Sequence, residues 1–210
     1  MPTDKVLSWF YCEESVTEDD IVADARERAE ELGAEPVSPA TGALLGVLAG
    51  AARARAVVEV GTGTGVGALH LLRGMPDDGV LTTIDVEVEH QRAAKEAFAE
   101  AGVRPTRVRA IRGRAQDVLP RLTDAAYDLV VVDADPENHA VYAEHAVRLL
   151  RPGGTLAVTH ALWRDQVADP ARRDEQTVAA RDLHRTLRAD DRFDVVLLSV
   201  GDGLLLAVRR

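Results

Sequence analysis

The chain of 210 residues has a single cysteine, Cys12. One thiol rules out an intramolecular disulfide and any multi-cysteine zinc or iron–sulfur site, and it suits a reducing, cytoplasmic compartment. No histidine lies near Cys12 in sequence, so it reads as an unreactive free thiol. Aromatic residues are only 4% of the chain, which leaves few rings to stack on a substrate; Trp9 and Trp163 are the two to test. Lysine is nearly absent: of the 25 Lys and Arg, only Lys5 and Lys95 are lysine. Against them stand 35 Asp and Glu, a net charge of −10 that repels phosphate backbones, so no nucleic-acid partner is expected. There is no long apolar run. The uncharged stretch 36–52 is punctuated by Gly42, Gly46 and Gly50 and closes at Arg53, short of the ~20 residues a membrane span needs, so it reads as a buried core helix. The first residues, through Trp9, Phe10 and Tyr11, lack a basic-then-apolar export pattern, and neither secretion nor a membrane partner is expected.

What is present is an alternation of short Val/Ile/Leu runs with longer amphipathic stretches. That pattern belongs to βα units feeding a parallel sheet, and the length suits one domain. Ile21, Ala25, Ala29 and Leu32 recur at helical spacing, with Thr17 and Asp20 as a capping box and Gly33 as the stop. Strands are predicted at 57–60, 80–84, 107–111, 127–132 and 155–158, and a helix over 87–101 with Ala93, Ala97 and Ala101 on one face. The fourth and fifth strands are almost wholly apolar, which predicts central positions covered on both sides. The last two runs, 195–198 and 204–208, are joined through Gly201-Asp202-Gly203, too short for a parallel crossover, so they pair antiparallel. The expected organisation is a single domain over 1–210, with a helical cap over 1–55 and an α/β core over 56–210.

The strongest chemical signal is Glu59-Val60-Gly61-Thr62-Gly63-Thr64-Gly65-Val66-Gly67, placed after the first strand and before a helix through Leu71. Alternate glycines let backbone amides approach a ligand closely, and the helix N-terminus adds oriented N–H groups. The dinucleotide fingerprint G-x-G-x-x-G fits only in part: counted from Gly61 it meets Val66, and counted from Gly63 it ends on Ala68, a permitted variant. Glu59 suits instead a ligand carrying an amino group and a sulfonium charge. Asp85 closes the next strand, where a carboxylate accepts ribose hydroxyls or caps the following helix. Gln116, or an amide near Ala115, is placed for an adenine after the third strand. Asp133 and Asp135 follow the fourth strand, at the sheet edge where open α/β sheets bind ligands.

To these are added Val37-Ser38-Pro39, Thr82-Thr83-Ile84-Asp85, Leu149-Leu150-Arg151-Pro152-Gly153-Gly154, Leu162-Trp163, Val167-Ala168-Asp169-Pro170 and Gly201-Asp202-Gly203-Leu204. On these residues the chain, from about residue 20 to its end, resembles the class I S-adenosylmethionine-dependent O-methyltransferases of the catechol and caffeoyl-CoA type. It is most similar to those of mycobacteria and related actinobacteria. The resemblance implies a Rossmann-like α/β fold whose seven-stranded, mostly parallel sheet ends in a C-terminal antiparallel hairpin. It also implies S-adenosyl-L-methionine as donor, a small-molecule acceptor, and N-terminal helices that cap the donor pocket and pair with a second subunit in a homodimer. Carried over by position, it places Val37, Glu59, Gly61, Thr62, Gly67, Asp85, Val86, Ala115 and Asp135 around the donor and Asp133 toward the substrate. Gly67 departs from the serine common there, which removes one hydroxyl contact to the donor's carboxylate.

Two further departures bear on catalysis. Metal-dependent members hold a divalent cation with an aspartate at the position of Asp133 and an Asp-Asn pair after the fifth strand, and a nearby lysine helps deprotonate the acceptor. Here the pair reads Thr159-His160 and the lysine position is Pro136. Neutral Thr159 is a poor magnesium ligand and His160 prefers softer metals, so no magnesium site is expected. In-line positioning supplies much of the rate of a methyl displacement without a metal, but a base is still needed. His160 is the first candidate, because an unperturbed imidazole titrates near ~6.5; a structural histidine capping the fifth strand is the competing reading. Asp133 and His139 are alternatives, with His139 expected at the exposed start of a helix. Two other function classes stay open: a donor-binding protein without transferase activity, and a nicotinamide oxidoreductase suggested by Gly61-x-Gly63 and Asp85.

Overall fold

The computed structural model describes residues 5–210. Residues 1–4, the start of the segment read for an export signal, lie outside the described residues. Three helices lead into the sheet: α1 (Lys5–Glu14), α2 (Asp20–Leu32) and α3 (Pro39–Ala51). The N-cap of α2 is Asp19, whose carboxylate accepts from the Val22 amide at 3.1 Å, and not Thr17. The helix begins at Asp20, so Thr17 is too far upstream to reach its first turn. Gly33 ends it as expected, in the left-handed region at φ 70°.

Seven strands follow: β1 (Ala56–Val60), β2 (Val80–Asp85), β3 (Val108–Arg112), β4 (Tyr127–Val132), β5 (Leu150–Val158), β6 (Phe193–Leu198) and β7 (Leu204–Arg209). Between them run α4 (Val66–Gly74), α5 (Val88–Glu100), α6 (Ala115–Val118), α7 (His139–Leu149) and α8 (Glu175–Arg188). The sheet order is β3-β2-β1-β4-β5-β7-β6. Strands β1 to β5 pair in parallel, while β7 inserts antiparallel between β5 and β6. Thus β4 and β5 are central, and the hairpin through Gly201-Asp202-Gly203 closes the sheet. Strand β5 starts at Leu150 rather than 155, because the Arg-Pro-Gly-Gly segment bulges from β5 where Tyr127 and Leu129 of β4 pair with Leu150 and Thr155.

Alternate residues of each strand enter opposite cores. Val57, Leu81, Leu129 and Val131 pack with residues of α2 to α5, whereas Val58, Val60, Val130 and Val132 pack with α7 and α8. The segment 36–52 is buried on one face only: Thr41, Gly42, Leu45 and Ala49 are covered, while Val47 is exposed. Its glycines are a packing stripe against α4. A Cβ on Gly46 would lie 2.9 Å from the carbonyl oxygen of His70, and one on Gly74 would lie 2.0 Å from that of Gly46. No helix among the described residues is long and apolar enough to cross a membrane.

The register decides where the chemistry sits. Val60 is level with Ile84 and Val132, and Val132 with Val158. The residues that follow, Gly61, Asp85, Asp133 and Thr159, therefore emerge side by side at one sheet edge.

Candidate active site

The loop after β1 turns on Gly61, Gly63 and Gly65, all in the left-handed region with φ of 90°, 50° and 96°. Gly61 has no substitute: a Cβ there would lie 1.8 Å from the carbonyl oxygen of Asp133. Asp85 pins this loop from the next strand. Its Oδ2 accepts from the amides of Thr62 (3.0 Å) and Gly63 (2.9 Å), and its Oδ1 from the amide of Glu87 (2.8 Å). Asp85 thus anchors the loop and the entry to α5 together, although the N-cap position itself is Glu87.

Gly61, Thr62, Gly67, Asp85 and Asp133 line a cavity of about 170 Å³. Glu59 lies beneath them, 1% exposed, and its Oε2 accepts from the Thr83 hydroxyl at 2.6 Å, which is itself 2.7 Å from the Thr62 hydroxyl. Burial, reinforced by the carboxylates of Asp133 and Asp85 and opposed by Thr83, pushes the Glu59 carboxyl up to about 8. The group is neutral at pH 7 until a cation arrives beside it. A Cβ on Gly67 would lie 2.9 Å from Glu59 Oε1 and 3.9 Å from Val37 Cγ2, so the glycine at this position leaves room for the carboxyl. Val37 is buried there, Val86 is exposed at the end of β2, and Ala115 is buried at the start of α6.

At the start of α6, the Gln116 amide donates to the Tyr142 hydroxyl at 3.4 Å, and that hydroxyl donates to Asp135 Oδ1 at 3.2 Å. Tyr142, on the inner face of α7, links two expected donor-pocket residues and was not singled out in the sequence. No motif or spacing in the sequence points to it.

A second cavity, of about 650 Å³, opens beside the first and is lined by Trp9, Phe10, Pro36, His160, Leu162 and Asp202 among others. Trp9 and Phe10 meet edge to face with centroids 5.0 Å apart, and Trp9 Nε1 donates to the Gly201 carbonyl at 3.1 Å. The structure does not bring Trp163 into this lining. Its ring lies under the Arg164 guanidinium at 5.7 Å, where three successive left-handed residues, Trp163, Arg164 and Asp165, turn the chain aside.

His160 stands between the two cavities. Its Nδ1 is 3.3 Å from Asp202 Oδ2, and its Nε2 is 3.4 Å from Asp133 Oδ1, within ion-pair range but without a well-formed hydrogen bond. Burial alone would lower its pKa, but a carboxylate facing each ring nitrogen overrides that and raises it to about 10. The imidazole expected as a neutral base is therefore held as an imidazolium at neutral pH. His139 differs from expectation too. It starts α7 but is 2% exposed, with Nε2 3.0 Å from the Ala134 carbonyl oxygen, and burial lowers its pKa, so it is a neutral core side chain. Cys12 is exposed on α1, away from these groups.

The donor set at Asp133 does not suit a hard dication. The Thr159 hydroxyl, a neutral group, donates to Asp133 Oδ1, and the other neighbour is the His160 imidazole, which suits softer metals than magnesium. Among the described residues no group of three or more His, Cys, Asp or Glu is placed to hold a metal.

The O-methyltransferase family model matches residues 12–210. The chain belongs to the O-methyltransferase family. This O-methyltransferase is 52% identical, over 99% of its length and 96% of the relative's, to a Mycobacteroides abscessus protein assigned as an O-methyltransferase. Among solved structures it is similar to the O-methyltransferase TomG of Streptomyces achromogenes in complex with S-adenosylmethionine, with a TM-score of 0.87 and 30% identity over 100% of this chain and 99% of that one. An O-methyltransferase of Bacillus cereus in complex with S-adenosylhomocysteine gives a TM-score of 0.87 at 25% identity, covering 97% of each chain. The nicotinamide reading of Gly61-x-Gly63 falls with these matches.

Proposed function

We propose that this enzyme moves the methyl group of S-adenosylmethionine onto the hydroxyl of a small acceptor, with Asp133 and His160 handling the acceptor's proton and with neither a divalent metal nor a lysine taking part. The observation that carries the reading is the position of the Asp133–His160 pair, which borders the glycine-loop cavity on one side and the larger cavity on the other. Glu59, Asp85 and the loop amides take the donor at the sheet edge, with Ala115, Gln116 and Asp135 toward its adenine. Trp9, one of the two tryptophans expected to stack on a substrate, walls the acceptor together with Phe10, and Trp163 does not.

In the transfer the acceptor oxygen attacks the methyl carbon as the carbon–sulfur bond breaks, and the bonding pair stays on sulfur, leaving S-adenosylhomocysteine. The hydroxyl proton leaves to the Asp133 carboxylate. The His160 imidazolium beside it makes the hydroxyl more acidic by stabilising the oxygen as it loses the proton. We further assign the N-terminal cap, whose α1 exposes Phe10 and Tyr11, to pairing in a homodimer and the protein to the cytoplasm.

Radiolabelled methyl transfer to a panel of phenols, catechols and alcohols tests the reading. His160→Ala is expected to lower turnover by roughly 10²–10⁴-fold, the usual contribution of a positioned proton-handling group. Donor affinity by calorimetry should stay within about twofold, because no donor contact is removed. Enzyme dialysed against a chelator is expected to keep its turnover. Unchanged turnover in His160→Ala removes the assignment, and tight donor binding with no transfer across the panel makes the chain a donor-binding protein instead.

A further inference from the structure

His160 has a backbone that its residue type disfavours, with φ of 51° in the left-handed region. Something outside the segment 159–165 must hold it there, and four contacts from this segment converge on the turn between β6 and β7. Asp202 receives three of them. Its Oδ2 faces His160 Nδ1 at 3.3 Å, its Oδ1 accepts from the Arg164 amide at 2.6 Å, and its main-chain oxygen accepts from the Leu162 amide at 2.9 Å. Gly203 adds a fourth, with its carbonyl accepting from the Ala161 amide at 3.0 Å. The turn is itself clamped from the other side: the Gly201 amide donates to Glu13 Oε1 at 3.1 Å, and the Gly201 carbonyl accepts from Trp9.

We propose that Asp202 is a positioning residue for methyl transfer, holding the Nδ1 proton and the direction of the His160 ring. With a carboxylate against Nδ1, that nitrogen keeps its proton and the ring cannot flip without losing the contact. The consequence falls on Nε2. It is buried, has no hydrogen-bond partner, and points along the line to Asp133, so it is the ring atom left to meet an acceptor oxygen. The side chains of Asp202 and His160 are respectively 20% and 18% exposed at the cavity wall, which keeps bulk water from competing for the Nδ1 contact. This assignment rests on the reading of His160 given under Proposed function, but its placement of the proton does not depend on turnover.

The test uses the full-length protein with ¹⁵N-labelled histidine, the His160 ring signal being identified by its loss in His160→Gln. The intact enzyme is expected to show a far-downfield Nδ1–H proton for His160. Asp202→Asn, which keeps the shape and can still accept from the Arg164 amide, is expected to lose or markedly shift that signal, and turnover should fall at least tenfold while affinity for S-adenosylhomocysteine changes less than twofold. Asp202→Glu is expected to restore part of both. A His160 signal unmoved in Asp202→Asn overturns the proposal, even if that variant melts at a lower temperature, because the aspartate would then be merely structural. A signal that shifts while turnover is unchanged overturns it as well. Loss of the signal in a protein that shows no methyl transfer with any acceptor sustains the placement and counts against the reading under Proposed function alone.

Discussion

The two halves of the site are built in different ways. The half proposed for the donor is a local object: a loop of nine residues, 59–67, and one carboxylate from the adjacent strand, bonded to that loop's own amides. The half proposed for the acceptor is assembled from distant segments. Trp9 meets Gly201 across 192 positions, Glu13 meets Gly201 across 188, and His160 meets Asp202 across 42. A site made of backbone and glycine geometry tolerates almost no change, whereas one made of side chains from several loops can be rebuilt residue by residue. The serine, the lysine and the Asp-Asn pair implied by the resemblance are replaced here by Gly67, Pro136 and Thr159-His160, and all but the first of these lie on the acceptor side.

Substitutions separate the two halves, beginning with the largest effect. Gly61→Ala should abolish donor binding and cost at least ~3 kcal/mol of stability, because its Cβ would lie 1.8 Å from main-chain oxygen that cannot move away cheaply; calorimetry and thermal unfolding read both. A variant that binds S-adenosylhomocysteine normally would break the claim that the donor half is rigid. His160→Ala should show the opposite profile, with donor affinity kept and turnover lost.

Glu59→Gln comes next. The folded-state pKa of Glu59, about 8, is raised above its ordinary 4.5, so the folded form holds a proton that the unfolded chain has released. Stability is therefore fully present below about pH 4.5 and is lost as pH rises through about 8. The glutamine variant lacks that slope and should be more stable than the parent by on the order of a few kcal/mol near pH 8. It should also lose the gain in donor affinity that ionised Glu59 gives the parent above that pH. Unfolding curves over a pH series that coincide for parent and variant would contradict the neutral buried acid.

Gly67→Ser is the smallest test. The added Cβ meets a side-chain oxygen of Glu59 at 2.9 Å and no backbone, so donor affinity should change by no more than about threefold, in either direction. A larger loss would show that the Glu59 rotamer is as fixed as the loop backbone.

The same division explains what could be read from the chain. The short apolar runs at 57–60 and 127–132 revealed the buried parallel strands, and the short turn at 201–203 revealed the antiparallel pair. Strand ends and caps were less legible. Leu150 joins β5 only because residues 151–154 bulge from that strand, and Asp19 caps α2 because the helix starts one residue after it. Glu59, Asp85 and Asp133 were legible because sheet register alone brings them together. Asp202 was visible as part of a glycine turn but not as a partner of His160, since no periodicity reports a contact across 42 positions. Trp9 and Trp163 could not be ranked by spacing. The choice between them is made by the left-handed backbone at 163–165 and by the Trp9–Gly201 hydrogen bond. His139 looked exposed because it begins a helix, yet the Ala134 carbonyl draws its ring inward.

The central claim is that the enzyme works with His160 charged. Burial favours the neutral ring, but Asp133 and Asp202 raise its pKa from 6.5 to about 10, so the imidazolium and the stability it brings are present below 6.5 and are lost as pH climbs through about 10. The most direct test is the pH dependence of turnover in metal-depleted enzyme, with an acceptor whose own hydroxyl does not ionise in the range. The expected rate is level through neutrality and falls as pH passes about 10. A rate that instead climbs roughly tenfold per pH unit toward that value would place the base on a neutral imidazole and contradict it.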